Sequence, residues 1–292
     1  KAKKKKKTST NPLKESFGHK TNLKMVLLAL FGATMGQGVV WYTGQFYAQS
    51  FIETVCKIDF EQSRTMLIWA ILFATPFFVV FGSWSDKVGR KWIMMAGMFL
   101  AIIFYRPIYQ QFLDLSDTAT YQTQTPASIS EPVIHVDEVA EKTITTTSIV
   151  KTFTDGFAYT QKSRDTVFAG ASKPVVNAAP VYTEKKLPTP VYWKFVFLIF
   201  VQVIFVTIVY GPIAAFLVEM FPTRIRYTSM SLPYHIGNGV FGGLTPFIAL
   251  LLTTINTGDK LVGLMYPIII SFICLIIGVV YISNKVDPDV SD

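Results

Sequence analysis

The sequence predicts an all-α membrane protein. It has six transmembrane helices as two inverted three-helix repeats, with an extracytoplasmic insertion that is either β-rich or loosely ordered. The first observation is composition: 51% of the 292 residues are apolar and 16% are charged, against roughly 25% charged in soluble domains. The second is a set of six long apolar runs, and the third is a short proline motif that occurs in two of them.

A helix needs about 20 mostly apolar residues to cross a bilayer. Six runs reach or approach that length, and the first and fifth are interrupted by polar residues and glycines. The polar side chains of those two spans need protein or water around them. The predicted spans are Leu23–Phe51, Thr65–Phe81, Trp92–Phe112, Tyr192–Val218, Thr228–Leu252 and Leu261–Tyr281.

The amino-terminal tail, residues 1–22, is basic and includes the run Lys3–Lys7. Such a run could bind nucleic acid or anionic lipid. Because apolar spans follow at once, we interpret it as a cytoplasmic tail that sets the orientation in the lipid bilayer, with no nucleic-acid partner. With six spans, the turns Asp86–Lys91 and Thr223–Arg226 and the residue Lys285 lie on the same face. Both termini are therefore predicted to be cytoplasmic.

A long polar segment, residues 113–190, separates the third and fourth spans and is predicted to lie on the opposite face. Long loops translocate largely regardless of their charge. Its alternating stretches Pro132–Val136 and Thr143–Thr145 are typical of a small β-rich module, and a loosely ordered loop is the alternative. The predicted domains are 1–22 (basic tail), 23–112 (helices one to three), 113–190 (insertion), 191–283 (helices four to six) and 284–292 (cytoplasmic tail).

The proline motif favours an internal repeat. The second span contains Thr75–Phe77 and the fifth contains Thr245–Phe247, both with the sequence Thr-Pro-Phe. If the chain is two three-helix units, these are equivalent helices that run in opposite directions, and inverted repeats are typical of secondary transporters. Each proline is expected to bend its helix.

The turn between the second and third spans, Gly82–Lys91, has the sequence GSWSDKVGRK. It resembles the G-x-x-S-D-x-x-G-R-[KR] loop of the major facilitator superfamily of secondary transporters. Three further stretches, Gly36–Tyr47, Glu219–Thr228 and Ser231–Gly243, resemble one subgroup of that superfamily, the metabolite:proton symporters. Members of the subgroup carry proline or betaine, shikimate, α-ketoglutarate or citrate.

This resemblance implies secondary active transport of a small polar metabolite, an organic acid or a zwitterion, coupled to protons and working by alternating access. It matches helices seven to twelve of a twelve-helix fold, so the chain would be the carboxy-terminal half. The amino-terminal half would lie on the same chain or on a partner, and the lysine-rich start looks like the loop that joins the halves. The family expectation for location is the bacterial inner (cytoplasmic) membrane. No covalent chemistry is implied, so the protein is not predicted to be an enzyme.

No residue pattern indicates a cofactor. The two cysteines, Cys56 and Cys274, are far apart and lack metal-ligand spacing, so we assign them neither a redox nor a metal role. We predict no metal and no cofactor.

Polar residues follow two stripes within the spans, at helical spacing. Such stripes are costly in a membrane unless they face a cavity or a partner helix. For the first span, the alternative to lining a cavity is helix packing aided by glycines. For His235, the alternative to a role in binding or proton transfer is a hydrogen bond to a neighbouring helix. The candidate solute-binding residues are Gln37, Trp41, Tyr42, Gln45, Tyr210, His235 and Asn238, with Thr34 and Gln202 as further cavity candidates.

Charged residues near the predicted cytoplasmic surface are candidates for gating. By resemblance, Asp86 and Arg90 would form or break ion pairs as the halves rock, and Glu219 would pair with Arg224 or Arg226. Ordinary solvated turn charge is the alternative, and an exposed pair contributes only about 0–1 kcal/mol.

Two points about charge within the spans remain. Arg106 either reaches the outer interface or offers a cation to an anionic solute. The centres of the spans contain no Asp or Glu, so a coupling carboxylate is expected in the missing half, with His235 as the only candidate in this chain.

Two rival functions remain open at this point. The first is a membrane-anchored binding or assembly protein in which the external insertion is the functional part. The second is a half-sized transporter that dimerises to complete the fold. The polar stripes and the charged turn favour the carrier, whereas the size of the insertion favours the anchor.

Overall fold

The computed structural model describes residues 12–139, 142–168, 176–223, 225–256 and 258–283. Within these residues, six helices are long and apolar enough to cross a membrane, judged by length and composition. They correspond one to one with the predicted spans, so the prediction of six apolar helices of membrane-spanning length is confirmed. The helices are α1 (Pro12–Gly18), α2 (Lys20–Thr54), α3 (Phe60–Val88), α4 (Arg90–Gln122, unbroken to Leu115), α5 (Thr189–Met220), α6 (Arg226–Ile255) and α7 (Val262–Tyr281).

The two motif prolines each begin a new helical segment. Helix α3 is interrupted at Thr75 and resumes at Pro76, and helix α6 resumes at Thr245, beside Pro246. Proline is tolerated in a first turn because its missing N–H would have no partner there. Each proline thus lies at a break between helical segments, while the predicted bend and the origin of the motif in an inverted repeat stay predictions.

Helices α2 and α6 also contain π-helical turns, which lie at Leu30–Thr34 and Thr43–Tyr47 in α2 and at Gly237–Gly242 in α6. An inserted residue shifts the side chains that follow it around the helix axis, and such turns are frequent at functional sites. They occur in the two spans whose polar and glycine content stood out in the sequence.

The chain divides into two compact units. Among the described residues, the bundle unit comprises those up to 50, residues 68–110 and those from 197 onward. The sheet unit comprises residues 51–67 and 111–196.

In the bundle unit, α2 and α7 pack closely through small residues. A Cβ atom at Gly278 would lie 2.6 Å from the carbonyl oxygen of Gly32, and one at Gly36 would lie 2.7 Å from Cys274 Sγ. The backbone N–H of Gly36 also donates to that sulfur at 3.3 Å. Close approach through small residues is the usual way that membrane helices gain packing energy.

The sheet unit contains an antiparallel sheet, with strands described in residues 128–186. Strands β2 to β5 pair antiparallel in chain order, and β1 and β2 both pair with β3. The alternating stretches noted in the sequence lie in β2 and β3, where Val136 is opposite Thr145. The strands are β1 (Ser128–Ile129), β2 (Val133–Val139), β3 (Lys142–Thr152), β4 (Ala158–Phe168) and β5 (Val176–Lys186).

The end of β5 pairs with the loop between α2 and α3. Asp59 donates its N–H to Lys185 O, and Lys185 donates its N–H to Lys57 O, both at 2.9 Å. The Lys185 side chain reaches the carbonyl of Ser116 at 2.7 Å. The start and the end of the insertion are therefore close together. The extracytoplasmic location of the insertion stays a prediction. Of the two predicted tails, 284–292 lies outside the described residues and 1–22 lies partly outside them.

Candidate functional site: polar and charged clusters in the helix bundle

Helices α2 and α6 cross at a contact formed by glycines. Gly38 of α2 lies against the backbone of Gly237 and Asn238 in α6, and Gly242 lies against Gly38. A Cβ atom at Gly237 would lie 2.6 Å from a backbone atom of Thr34, a separation that no side chain tolerates. The glycines therefore let the two backbones touch, as small residues commonly do between membrane helices.

Polar side chains hold the same crossing together. The amides of Gln37 and Asn238 donate to each other with N···O distances of 3.0 Å, and Asn238 donates also to the carbonyl of Tyr234. The Thr34 hydroxyl donates to Pro233 O at 2.7 Å. Gln37 is only 1% exposed, so its amide faces α6. The structure thus joins two of the predicted solute-binding residues to each other, which fits the packing alternative for Gln37.

An aromatic cluster begins one helical turn further along α2. The ring of Trp41 lies 4.6 Å from that of Tyr210 in α5 and 6.4 Å from that of Phe78 in α3, between centroids. The hydroxyls of Tyr210 and Tyr234 lie 2.7 Å apart and share a hydrogen bond, which brings α6 into the cluster. All four side chains are half-buried. Four helices therefore contribute to one surface that offers ring faces and hydroxyl groups.

The other predicted solute-binding residues are close to the cluster residues along the chain. Tyr42 and Gln45 follow Trp41 on α2, and His235 follows Tyr234 on α6. Tyr42 stacks on Phe46 at 5.2 Å, and Gln45 is half-buried. His235 is exposed, with its ring 5.8 Å from that of Tyr234. Their roles in binding a solute or a proton stay predictions.

Two further candidates have contacts of their own. Gln202 is fully buried and its amide donates weakly to Leu198 O at 3.5 Å. Arg106 pairs with Asp259 at 3.1 Å, and both side chains are exposed. The Leu261 N–H and then the Arg106 guanidinium hold the pKa of the Asp259 carboxyl below its ordinary value, because both favour its charged form. A pair with the loop between α6 and α7 fits the interpretation that Arg106 reaches the interface.

Three of the five predicted gating residues meet at one guanidinium. Arg90, at the start of α4, donates to Asp86 of α3 at 2.7 Å and forms a second ion pair with Glu219 of α5. The Arg90 side chain is 21% exposed, against 59% for Asp86 and 44% for Glu219. One partly buried cation therefore bridges two carboxylates, and through them three helices.

The packing of α3 against α5 explains why these carboxylates meet. A Cβ atom at Gly211 of α5 would lie 3.2 Å from the backbone nitrogen of Gly82 in α3. Asp86 follows Gly82 by one turn, and Glu219 follows Gly211 by about two turns. The glycine contact thus positions the two helix ends for a common partner.

Arg226, another predicted gating residue, has a different partner. The sequence pairs Glu219 with Arg224 or Arg226, whereas in the structure Glu219 contacts Arg90. Arg226 donates through Nε to the carbonyl of Phe221 at 2.9 Å, at the start of its own helix. Arg224 lies outside the described residues, so its role stays a prediction.

Sequence reasoning assigned no role to Lys91, which the structure places at the end of α7. Its ammonium donates to the carbonyl oxygens of Val279 and Ile282 at 2.8 and 2.6 Å, and the residue is 6% exposed. The last carbonyls of a helix lack partners within the helix, and a cation there also interacts favourably with the helix dipole. Nothing in the sequence links Lys91 to residues so far along the chain.

Replacing Lys91 with methionine is therefore expected to destabilise the bundle by about 1–2 kcal/mol, because two carbonyls lose a charged donor. Thermal unfolding in detergent measures the change. Lys87→Met removes an exposed lysine four residues earlier and should leave the unfolding temperature unchanged. Equal unfolding temperatures for the two variants would contradict the capping role of Lys91.

Tyr234 and Phe78 are the other residues that the sequence left without a role. Tyr234 precedes Asn238 by four residues and so lies on the same helical stripe as a predicted site residue, a signal that could have identified it. Phe78 gives no such signal, because its contact with Trp41 depends on how α2 and α3 pack. Among the residues that the structure describes, no group of three or more His, Cys, Asp or Glu side chains is arranged to hold a metal ion.

The helices and these clusters define a multi-pass helical membrane protein with polar groups inside its bundle. Two curated proteins are similar to parts of the chain. A "Putative metabolite transport protein" of Haemophilus influenzae is 32% identical over 108 residues, which is 37% of this chain and 23% of that protein. The "Inner membrane metabolite transport protein YhjE" of Escherichia coli is 42% identical over 55 residues, which is 19% of this chain and 12% of that protein.

The chain thus spans well under two thirds of the length of each of these relatives. No family model matches the chain, and no solved structure matches it.

Proposed function

We propose that this chain forms the carboxy-terminal six-helix half of a secondary transporter of the major facilitator superfamily, in its metabolite:proton symporter subgroup. The transporter carries a small polar metabolite, an organic acid or a zwitterion, together with protons and by alternating access. It acts in the inner membrane of a bacterium, with both termini of this chain in the cytoplasm.

One observation carries the proposal: the cluster of Trp41, Phe78, Tyr210 and Tyr234 lies within helices apolar enough to span a membrane. Polar groups between membrane helices are costly, and helices that serve only as an anchor do not require them. A solute pathway does require hydroxyl groups and ring faces that a solute can contact. The names of the two partial relatives, which denote metabolite transport, support the same function. The Arg90 ion pairs support gating, because charges shared between helix ends are well suited to form and break during rocking.

In this proposal the site residues have distinct tasks. Trp41 and Tyr210 supply ring faces for the solute, and the hydroxyls of Tyr210 and Tyr234 orient its polar groups. Tyr42, Gln45 and His235 extend the surface, and His235 is the candidate proton carrier of this half. The Gln37–Asn238 pair holds α2 against α6 so that the aromatic cluster keeps its geometry.

The test is uptake by the full-length protein reconstituted in liposomes, with radiolabelled betaine, proline, shikimate, α-ketoglutarate and citrate. We expect uptake of at least one of them under an inward proton gradient, and its loss when a protonophore is added. Uptake that ignores the gradient would contradict proton coupling. Failure of every organic acid and zwitterion, in protein shown to be folded, would contradict the proposed transport.

A deletion separates the carrier from the anchored binding protein. Because Lys185 reaches Ser116 and the rings of Phe112 and Phe195 stack at 5.0 Å, a short Gly-Ser linker is long enough to replace residues 116–186. We expect the shortened protein to retain transport. Loss of transport, with the helices intact by circular dichroism, would favour the function in which the insertion is essential.

A further inference from the structure

A groove of about 460 Å³ runs along the bundle between the first turns of α2 and the last turns of α7. Its volume is within the range of roughly 300–1,000 Å³ that is usual for ligand sites. Its walls are almost wholly apolar, and two lysines line it through the carbon atoms of their side chains. The lining residues are Lys20, Leu23, Lys24, Leu27, Leu28, Phe31, Ile277 and Tyr281.

The two lysines lie at one end of the groove. On α2, Lys20 and Lys24 are one turn apart near the start of the helix, and Leu27 and Phe31 continue the same stripe towards its middle. Both lysines are exposed, as are the two apolar side chains, at 44% for Leu27 and 37% for Phe31. The groove is therefore an apolar trough with two exposed lysines at one end.

The opposite wall, formed by α7, also changes from an apolar residue to a residue typical of the membrane interface. Ile277 and Tyr281 are one turn apart on α7, and Tyr281 is the last residue of that helix. The α2–α7 contact fixes the distance between the walls, because the carbonyl oxygen of Gly32 occupies the space that a side chain at Gly278 would need. Tyrosine at a helix end is typical of the level of lipid headgroups, so the tyrosine and the lysines mark one interfacial end.

We propose that this groove binds an anionic phospholipid. One acyl chain lies along Leu27, Phe31 and Ile277, and the phosphate lies between the ammonium groups of Lys20 and Lys24. Lipid is the solvent around a membrane-spanning bundle, and lysines beside a membrane surface attract anionic headgroups. A zwitterionic headgroup fits the trough equally well but gives no net charge for the two lysines. The inference does not depend on which solute is transported.

Native mass spectrometry of the full-length protein in detergent, titrated with dioleoyl phosphatidylglycerol or dioleoyl phosphatidylcholine, tests the proposal. The two probes have the same chains and differ in charge. We expect the dissociation constant for phosphatidylglycerol to be at least fivefold lower, from about a fivefold contribution per lysine. In the double variant Lys20→Gln/Lys24→Gln the two constants should become equal, while binding of phosphatidylcholine is unchanged.

A matched control is the double variant Lys87→Gln/Lys194→Gln, which removes the same net charge from exposed positions outside the groove and should keep the preference. Leu27→Trp fills the trough and leaves both lysines in place, so it should weaken binding of both lipids. Equal affinity for the two lipids in the wild type, or a preference that survives in Lys20→Gln/Lys24→Gln, would overturn the proposal. So would unchanged binding of phosphatidylglycerol by Leu27→Trp.

Discussion

Replacing Arg90 with glutamine is expected to slow transport about tenfold or more while the protein stays folded in the membrane. Arg90 is the shared partner of Asp86 and Glu219, so its loss leaves two carboxylates at neighbouring helix ends without their cation. Glu219 is also near the end of α5, where the helix dipole disfavours a negative charge. A tenfold change is equivalent to about 1.4 kcal/mol, more than an isolated exposed pair provides.

The single carboxylate variants should have smaller effects. Asp86→Asn and Glu219→Gln each leave Arg90 with one partner, so each is expected to slow uptake severalfold. Arg90→Lys keeps the charge but not the planar fork that serves two acceptors at once, and its rate should lie between those of the wild type and Arg90→Gln. The measurements are initial uptake rates at equal membrane abundance, for the single variants and for Asp86→Asn/Arg90→Gln.

The ion pairs of Arg90 with Asp86 and Glu219 also lead to a quantitative prediction. Because all three residues share one interaction, the effects of Asp86→Asn and Arg90→Gln should not add in the double variant. Uptake at the wild-type rate in Arg90→Gln, or strictly additive effects, would mean that these are ordinary solvated turn charges.

Parts of this architecture are predictable from sequence for a clear physical reason. The spans are predictable because a bilayer requires about 20 consecutive apolar residues, which are adjacent in the chain and need no tertiary information. The interruptions of α3 and α6 are predictable because the missing N–H of proline is a local property. Strands β2 and β3 lie at the two stretches whose period of two favoured a β module.

The contacts of the candidate site were not predictable, because they join residues distant in the chain. Gln37 and Asn238 are 201 residues apart, and both have the residue type and the helix position of a solute ligand. Only the α2–α6 crossing determines that their amides face each other. The partner of Glu219 was not predictable for the same reason. Two arginines are near it in sequence, but the packing of α3 against α5 at Gly82 and Gly211 brings Glu219 to Arg90.

The glycines of the α2–α6 crossing carry the other prediction with a large expected effect. Gly38→Ala is expected to destabilise the bundle strongly and to reduce transport, because its methyl group would overlap the carbonyl of Gly237. A backbone atom cannot rotate aside as a side chain can, so the helices must separate. Separation would lengthen the Gln37–Asn238 hydrogen bonds and displace Trp41 from Tyr210. Overpacking of this kind costs about 1–3 kcal/mol, and occasionally more.

The same helices offer a matched control. Gly239 lies in the same π-helical turn as Gly237, and a Cβ atom there would meet nothing within 4 Å. Gly239→Ala should therefore leave both the unfolding temperature in detergent and the uptake rate close to those of the wild type. Gly237→Ala, whose methyl group would meet the backbone of Thr34, should behave like Gly38→Ala. If Gly38→Ala and Gly239→Ala were equally stable and equally active, α2 and α6 would not be in backbone contact, and the Gln37–Asn238 amides would be free to face the solute instead.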